Sequence, residues 1–137
     1  MTSSVVYQGE LRTICTHISS GSPLETDAPT DNQGKGERFS PTDLTATSLA
    51  SCMLTVMGIK ARSMDFDLNG VQVQVTKIMA SAPRRIDRIE LAFDIPAALH
   101  LLDPKTIDVL KKTGDACPVR HSIHPDIQVQ IDWGAWG

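Results

Sequence analysis

Residues 39–62 read F-S-P-T-D-L-T-A-T-S-L-A-S-C-M-L-T-V-M-G-I-K-A-R, and the rest of the chain is best read outward from this stretch. Ser40 suits a helix N-cap, Pro41 the first helical position, and Asp43 stands three residues after Ser40, where its carboxylate can complete a capping box. The helix is expected to begin at Ser40. From Leu44 to Ile59 no residue is charged, and every side chain is apolar, small or hydroxyl-bearing. With no charged face for water to solvate, burial on every side is expected. A chain of 137 residues can hardly wrap a helix of about six turns by itself, so a partner subunit is the expected cover for part of it.

At about 100° per residue, Thr45, Ser48, Thr55 and Ile59 share a face with Cys52, while Ala46, Ala50, Met57 and Ala61 point the other way. A lone Cys in an apolar helix is ordinarily a small core residue. A second stretch changes that reading: G-D-A-C-P-V-R-H-S-I at 114–123, in which Cys117 precedes Pro118. Pro118 suits a first helical turn and puts Cys117 near a helix N-terminus, where free N–H groups favour a thiolate.

S-P-T-D-L at 40–44 leading into S-C at 51–52, with C-P-V at 117–119, resembles the OsmC/Ohr family of osmotically inducible and organic hydroperoxide resistance proteins. The resemblance runs from Tyr7-Gln8-Gly9 to the closing I-Q-V-Q-I-D-W. It implies an α+β fold with antiparallel sheets around a long buried central helix, an intimate swapped homodimer, and a thiol peroxidase using Cys52 and Cys117. In the hydroperoxide-reductase branch an arginine in the N-terminal hairpin, nine residues ahead of a turn glycine, sits over the reactive thiol. Arg12 stands nine residues before Gly21. The resemblance therefore implies that Arg12 favours the thiolate and orients the peroxide. That branch also carries a glutamate directly after the helix-opening proline, where this chain has Thr42. Glu37 and Asp43 are the two candidates to pair with Arg12 in its place.

The mechanism so implied needs no metal, flavin or haem. Cys52 attacks the O–O bond, releases an alcohol and becomes a sulfenic acid, which Cys117 condenses to a disulfide. A dithiol such as a lipoylated protein restores both thiols. Met53 and Val56, beside Cys52 in sequence, are the expected substrate-binding residues. The reading from a different class is a small-molecule binding or structural dimer with inert cysteines, in which Met53, Val56 and Met57 line an apolar cavity.

Composition bounds these readings. One domain spanning 1–137 is expected, with a core that is aliphatic because aromatics make up only 4% of residues. A net charge of −3 gives no electrostatic footprint for nucleic acid or an anionic membrane. M-T-S-S-V-V-Y-Q-G-E lacks the pattern of a signal peptide, and the hydroxyls of the central helix argue against a membrane span. Three widely spaced cysteines fit a reducing cytoplasm.

Residues 3–18 are expected as one strand or a long bent strand, with a turn at 19–22 and a return strand at 24–27. The polar, Gly-containing loop that follows could be mobile or could lid a site. V-Q-V-Q-V-T-K-I at 71–78 alternates as a half-buried strand, 86–95 as its antiparallel partner, and 127–131 as a last strand of that sheet. Asp103 is expected to cap a helix from Pro104 to about Lys112, with Ile107 and Leu110 inward and Gly114 as the stop. Cys15 reads as structural, His17 and His100 as surface or core residues, and Arg84, Arg85 and Arg88 as a solvated tip. Cys117, His121 and His124 match no standard zinc spacing.

Overall fold

The stretch 3–18 is not one strand but two. In the computed structural model, which describes residues 1–137, β1 (Ser3–Gly9) and β2 (Arg12–His17) pair antiparallel, with Gly9 opposite Arg12. The two residues between them, Glu10 and Leu11, have φ of 53° and 64°. Positive φ at both positions is the hairpin geometry that matches strand twist. Neither residue belongs to the Asn-Gly or Asp-Gly pairs that announce such a turn, so the sequence reads straight through it.

The second turn lies where expected, with the His17 N–H donating to the Ser22 carbonyl at 2.9 Å. β3 (Pro23–Asp27) completes the sheet in the order β1-β2-β3. This sheet belongs to the first of two compact units, Met1–Thr45, and it has little core of its own. Val5, Val6 and Tyr7, consecutive and therefore on both faces of β1, are 61%, 55% and 63% exposed. The loop after β3 is tied down by its backbone. Gly34 N–H donates to Pro29 O, Gly36 N–H to Ala28 O, and Asp27 N–H to Phe39 O, at 2.9, 3.2 and 3.0 Å.

The expected capping box forms as read. Asp43 N–H donates to Ser40 Oγ at 3.0 Å, and Ser40 N–H donates to Asp43 Oδ2 at 2.9 Å. α1 then runs from Pro41 to Ser63. Burial on every side does not hold within one chain. Ala46, Leu49, Ala50, Met53, Met57 and Ala61 are buried, whereas Thr45, Ser51, Thr55 and Ile59 are exposed. The buried spacing of three and four is one helix face; the absence of charge elsewhere on α1 does not require cover from the same chain.

The second unit, Ala46–Gly137, carries the main core. β4 (Gln72–Ser81) and β5 (Arg84–Asp94) form the expected antiparallel hairpin, with Gln72 and Gln74 outward and Val73 and Val75 half-buried. β6 (Gln128–Asp132) joins the sheet beside β5, but parallel to it. The sheet is thus mixed rather than wholly antiparallel. Parallel neighbours need a long crossover, and the chain from 95 to 127 supplies it with two helices.

The first of these, α2 (Pro104–Asp115), is capped by Asp103, whose carboxylate accepts from the N–H groups of Lys105 and Thr106 at 2.9 and 3.3 Å. It runs past Lys112 and through Gly114, which is buried inside the helix rather than ending it. α3 (Pro118–Ser122) is short and has Cys117 as its N-cap. Leu49, Met53, Met57, Ile89, Leu91 and Leu110 form the fully buried centre. Each such side chain contributes about 1.5–3 kcal/mol by leaving water. The core is mainly aliphatic, but Phe93 and Trp136 are buried in it, and Phe93 packs against the half-buried Trp133 with 4.5 Å between ring centres and the planes tilted by 32°.

Candidate active site

Two clusters of chemically capable side chains form, one in each unit. In the unit Ala46–Gly137 the fold brings Cys52, from the middle of α1, to Cys117, at the cap of α3. The two side chains are neighbours, close enough for Cys52 to act on the Cys117 thiol. Both thiols are free, Cys52 half-buried and Cys117 buried. Burial pushes the Cys117 thiol above its ordinary value, and the adjacent Cys52 adds to the rise. The Arg120 N–H, donating to Cys117 Sγ at 3.4 Å, works in the opposite direction without reversing it. The expected pull of the helix N-terminus on Cys117 toward the thiolate is outweighed by its burial, and Cys52 is the more accessible of the two.

This arrangement has local causes. Pro118 stops the chain from continuing α2 and starts a new helical turn. Cys117 N–H donates back to the Gly114 carbonyl at 3.1 Å, which ties the cysteine to the end of α2. Cys52 sits between buried Met53 and exposed Ser51, at the border of the buried face of α1.

The second cluster lies in the unit Met1–Thr45. Arg12 Nε and one terminal nitrogen donate to the two oxygens of Asp27 at 2.7 and 2.8 Å. The same terminal nitrogen reaches Glu37 Oε2 at 3.4 Å. Asp27 also accepts the Glu37 N–H at 3.1 Å, and its side chain has no exposure. Bidentate pairing with Arg12 holds the Asp27 carboxyl down to about 2 and raises the guanidinium further above its already high value. Glu37 thus pairs with Arg12, as one of the two named candidates, but in second place. Asp43 spends a carboxylate oxygen on the capping box.

Asp27 is the residue that sequence reasoning missed. The signal was present: counting outward from the His17–Ser22 turn in antiparallel steps puts Arg12 opposite Asp27. Opposite charges directly across a strand pair attract.

The expected substrate-binding residues fall in different environments. Met53 is fully buried within the core, and Val56 is half-buried against it. Cys15 stands in β2 between Val5 and Leu24. His100 Nε2 bonds the Ile95 carbonyl at 2.7 Å, and His17 bonds Ser20 at 2.7 Å.

The sequence pattern of the OsmC-like protein family matches residues 34–132. Among solved structures, a Psychrobacter arcticus 273-4 protein ascribed to the osmotic stress induced and detoxification response is 52% identical. It aligns over 96% of this chain and 94% of its own, with a TM-score of 0.91. An organic hydroperoxide resistance protein from Legionella pneumophila is 17% identical over 96% of each chain, with a TM-score of 0.71. The organic hydroperoxide resistance protein OhrB of Bacillus subtilis is 16% identical over 96% of this chain and 97% of its own, with a TM-score of 0.63. At these two lower identities the likeness is one of fold. The comparison with curated proteins gives no match.

Proposed function

The chain belongs to the OsmC-like protein family, and on that premise we propose that it is a thiol-dependent peroxidase reducing organic hydroperoxides to alcohols. The observation that carries this reading is the pair of neighbouring free thiols, one half-buried in α1 and one buried at the cap of α3. The family is associated with organic hydroperoxide resistance and redox chemistry.

The Cys52 thiolate attacks the outer oxygen of ROOH, the O–O bond breaks, and the alkoxide leaves as ROH after taking a proton. Cys52 is then a sulfenic acid. Cys117 attacks its sulfur, water departs, and a Cys52–Cys117 disulfide remains. A dithiol, such as a lipoylated protein, takes up the disulfide by two exchanges and leaves as its own cyclic disulfide. No cofactor enters the cycle.

Arg12 is assigned to hold the peroxide and favour the thiolate, with Asp27 as its principal anchor and Glu37 as the second. Val56, half-exposed beside Cys52, is assigned to substrate contact, and Met53 to shaping the same wall from within. The apolar residues around Cys52 favour alkyl or lipid-like hydroperoxides over hydrogen peroxide.

The functional form is a cytoplasmic homodimer of a single domain spanning 1–137. Its support is the open face of α1 with Ile59 at 66% exposure, the groove of about 410 Å³ beside it lined by Leu54, Gly58, Phe66 and Leu68, and the exposed apolar residues of β1. A folded monomer at micromolar concentration in sedimentation would remove the dimer.

The deciding assay is peroxide consumption with a dithiol reductant. Turnover with cumene hydroperoxide at a kcat/KM well above that for hydrogen peroxide is expected. No consumption of either, with Cys52 alkylating slowly and unselectively, would leave a binding or structural dimer instead.

A further inference from the structure

Glycine is unfavourable in a helix interior, where it loses more backbone freedom than alanine, so a buried glycine there calls for a packing reason. Gly114, in the last turn of α2, is buried and calls for such a reason too; it is not among the residues of positive φ, so an alanine could adopt its backbone conformation without strain. What it lacks is room. A Cβ at Gly114 would stand 2.7 Å from Met57 Sδ, 3.1 Å from Met57 Cγ and 3.5 Å from Met53 Cε. Both methionines belong to α1 and have no exposure, so the crowding falls on side chains enclosed in the core.

These contacts lie between the two cysteines in the chain of connection. Met53 follows Cys52 directly, and Met57 is on the same buried helix face. On the other side, Gly114 accepts the Cys117 N–H at 3.1 Å and so fixes where the cap of α3 begins. Whatever separates α2 from α1 at Gly114 also separates the Cys117 sulfur from Cys52. A disulfide tolerates little of this, because its Cβ atoms must approach to about 3.5–4.5 Å.

We propose that Gly114 is the positioning residue for the Cys52–Cys117 disulfide: its missing side chain lets α2 lie close enough to α1 for the two sulfurs to bond. The inference rests on the disulfide chemistry assigned above and extends it to a residue that touches neither sulfur nor substrate. It also reassigns Gly114, whose place in the sequence suggests only a helix stop.

The test is the Gly114→Ala variant, oxidised with diamide and equilibrated against reduced and oxidised dithiothreitol, with the disulfide quantified by mass spectrometry. Its equilibrium constant for disulfide formation is expected to fall by about tenfold or more relative to wild type, as overpacking of a filled core predicts. After organic hydroperoxide, its Cys52 sulfenic acid should persist and be trapped by dimedone, while the first oxidation of Cys52 keeps its wild-type rate. A merely structural role would lower the melting temperature without changing this partition.

The double variant Gly114→Ala/Met57→Ala removes the side chain that the new methyl meets. It should return the equilibrium constant to within about threefold of wild type, and it serves where the single variant does not fold. An unchanged constant in the single variant, or no recovery in a folded double variant, would overturn the proposal. If wild type forms the bond with diamide but ignores hydroperoxide, the peroxidase reading falls while the variant comparison still decides this one. If wild type forms no Cys52–Cys117 bond with either oxidant, both fall.

Discussion

Arg12 is held by charge, in a sheet whose first strand is exposed on both faces; Cys52 and Cys117 are held by packing, in a unit centred on Leu49, Met53, Met57, Ile89, Leu91 and Leu110. The difference follows from what each group needs. A guanidinium stays charged in any ordinary setting and presents a planar fork, so two carboxylate oxygens fix its direction without a deep core. A thiol is a weak donor and a weak acceptor, so hydrogen bonds fix its direction poorly. Its position must come from the backbone that carries it, and the backbone from the helices packed beneath. Changes to charge should therefore disturb the arginine cluster and spare the thiol pair, and changes to volume should do the reverse.

The largest expected effect is on chemistry. Cys52→Ser should abolish peroxide consumption. Cys117→Ser should leave a single round, with Cys52 trapped as a sulfenic acid and open to further, irreversible oxidation. Intact-mass measurement after one equivalent of organic hydroperoxide distinguishes these outcomes. A bond joining Cys15, or two thiols left free, would break the assignment.

Next comes volume. Leu110→Ala, at a residue with no exposure, should cost about 2–5 kcal/mol of unfolding free energy in denaturant titration. The Arg12–Asp27 pairing should survive in the folded fraction, readable as an unchanged acid limb of stability.

The charge cluster is sharpened by Asp27→Asn. Losing the anionic anchor loosens Arg12, and kcat/KM for an organic hydroperoxide should fall on the order of ten- to a hundredfold, with the diamide-formed disulfide equilibrium unchanged. If Arg12→Gln leaves kcat/KM at the wild-type value, Arg12 has no part in the reaction. If Arg12→Gln lowers it and Asp27→Asn does not, the anchor is elsewhere. The pH dependence carries the same information. Asp27 is depressed from its ordinary 3.8 to about 2, so the folded state binds this proton less readily than the unfolded chain. Its stabilisation is complete above the unfolded value and is lost as pH falls through about 2. Melting curves of wild type between pH 4 and 2 should show that limb, and those of Asp27→Asn should lack its Asp27 part.

What could be read in advance divides along similar lines. The start of α1, the cap of α2, the alternating strands β4 and β5, and the two cysteine motifs all rest on local chemistry: a hydroxyl and a carboxylate three residues apart, a proline after a cap, a period of two. The features that escaped depend on partners distant in the chain. The Glu10-Leu11 turn is set by the strands it joins, the parallel placement of β6 by a crossover of two helices, and the burial of Gly114 by methionines on another helix. Asp27 stands between these cases, since its pairing with Arg12 follows from strand register once the turn before Pro23 is located.

The smallest expected effect is at the capping box that opens α1, and it tests whether the thiol pair depends on its own packing or on the whole helix. Ser40 is 2% exposed and exchanges two hydrogen bonds with Asp43. Ser40→Ala removes the acceptor of the Asp43 N–H and should cost about 1 kcal/mol of unfolding free energy. The fraying this allows is confined to the first turn, whereas Cys52 lies about three turns further on and is flanked by Leu49 and Met53, both without exposure. The melting temperature should therefore fall by a few degrees, with the Cys52–Cys117 equilibrium constant within about twofold of wild type. A shift in that constant as large as the one expected for Gly114→Ala would mean that the start of the helix, and not its contact with α2, sets the sulfur geometry.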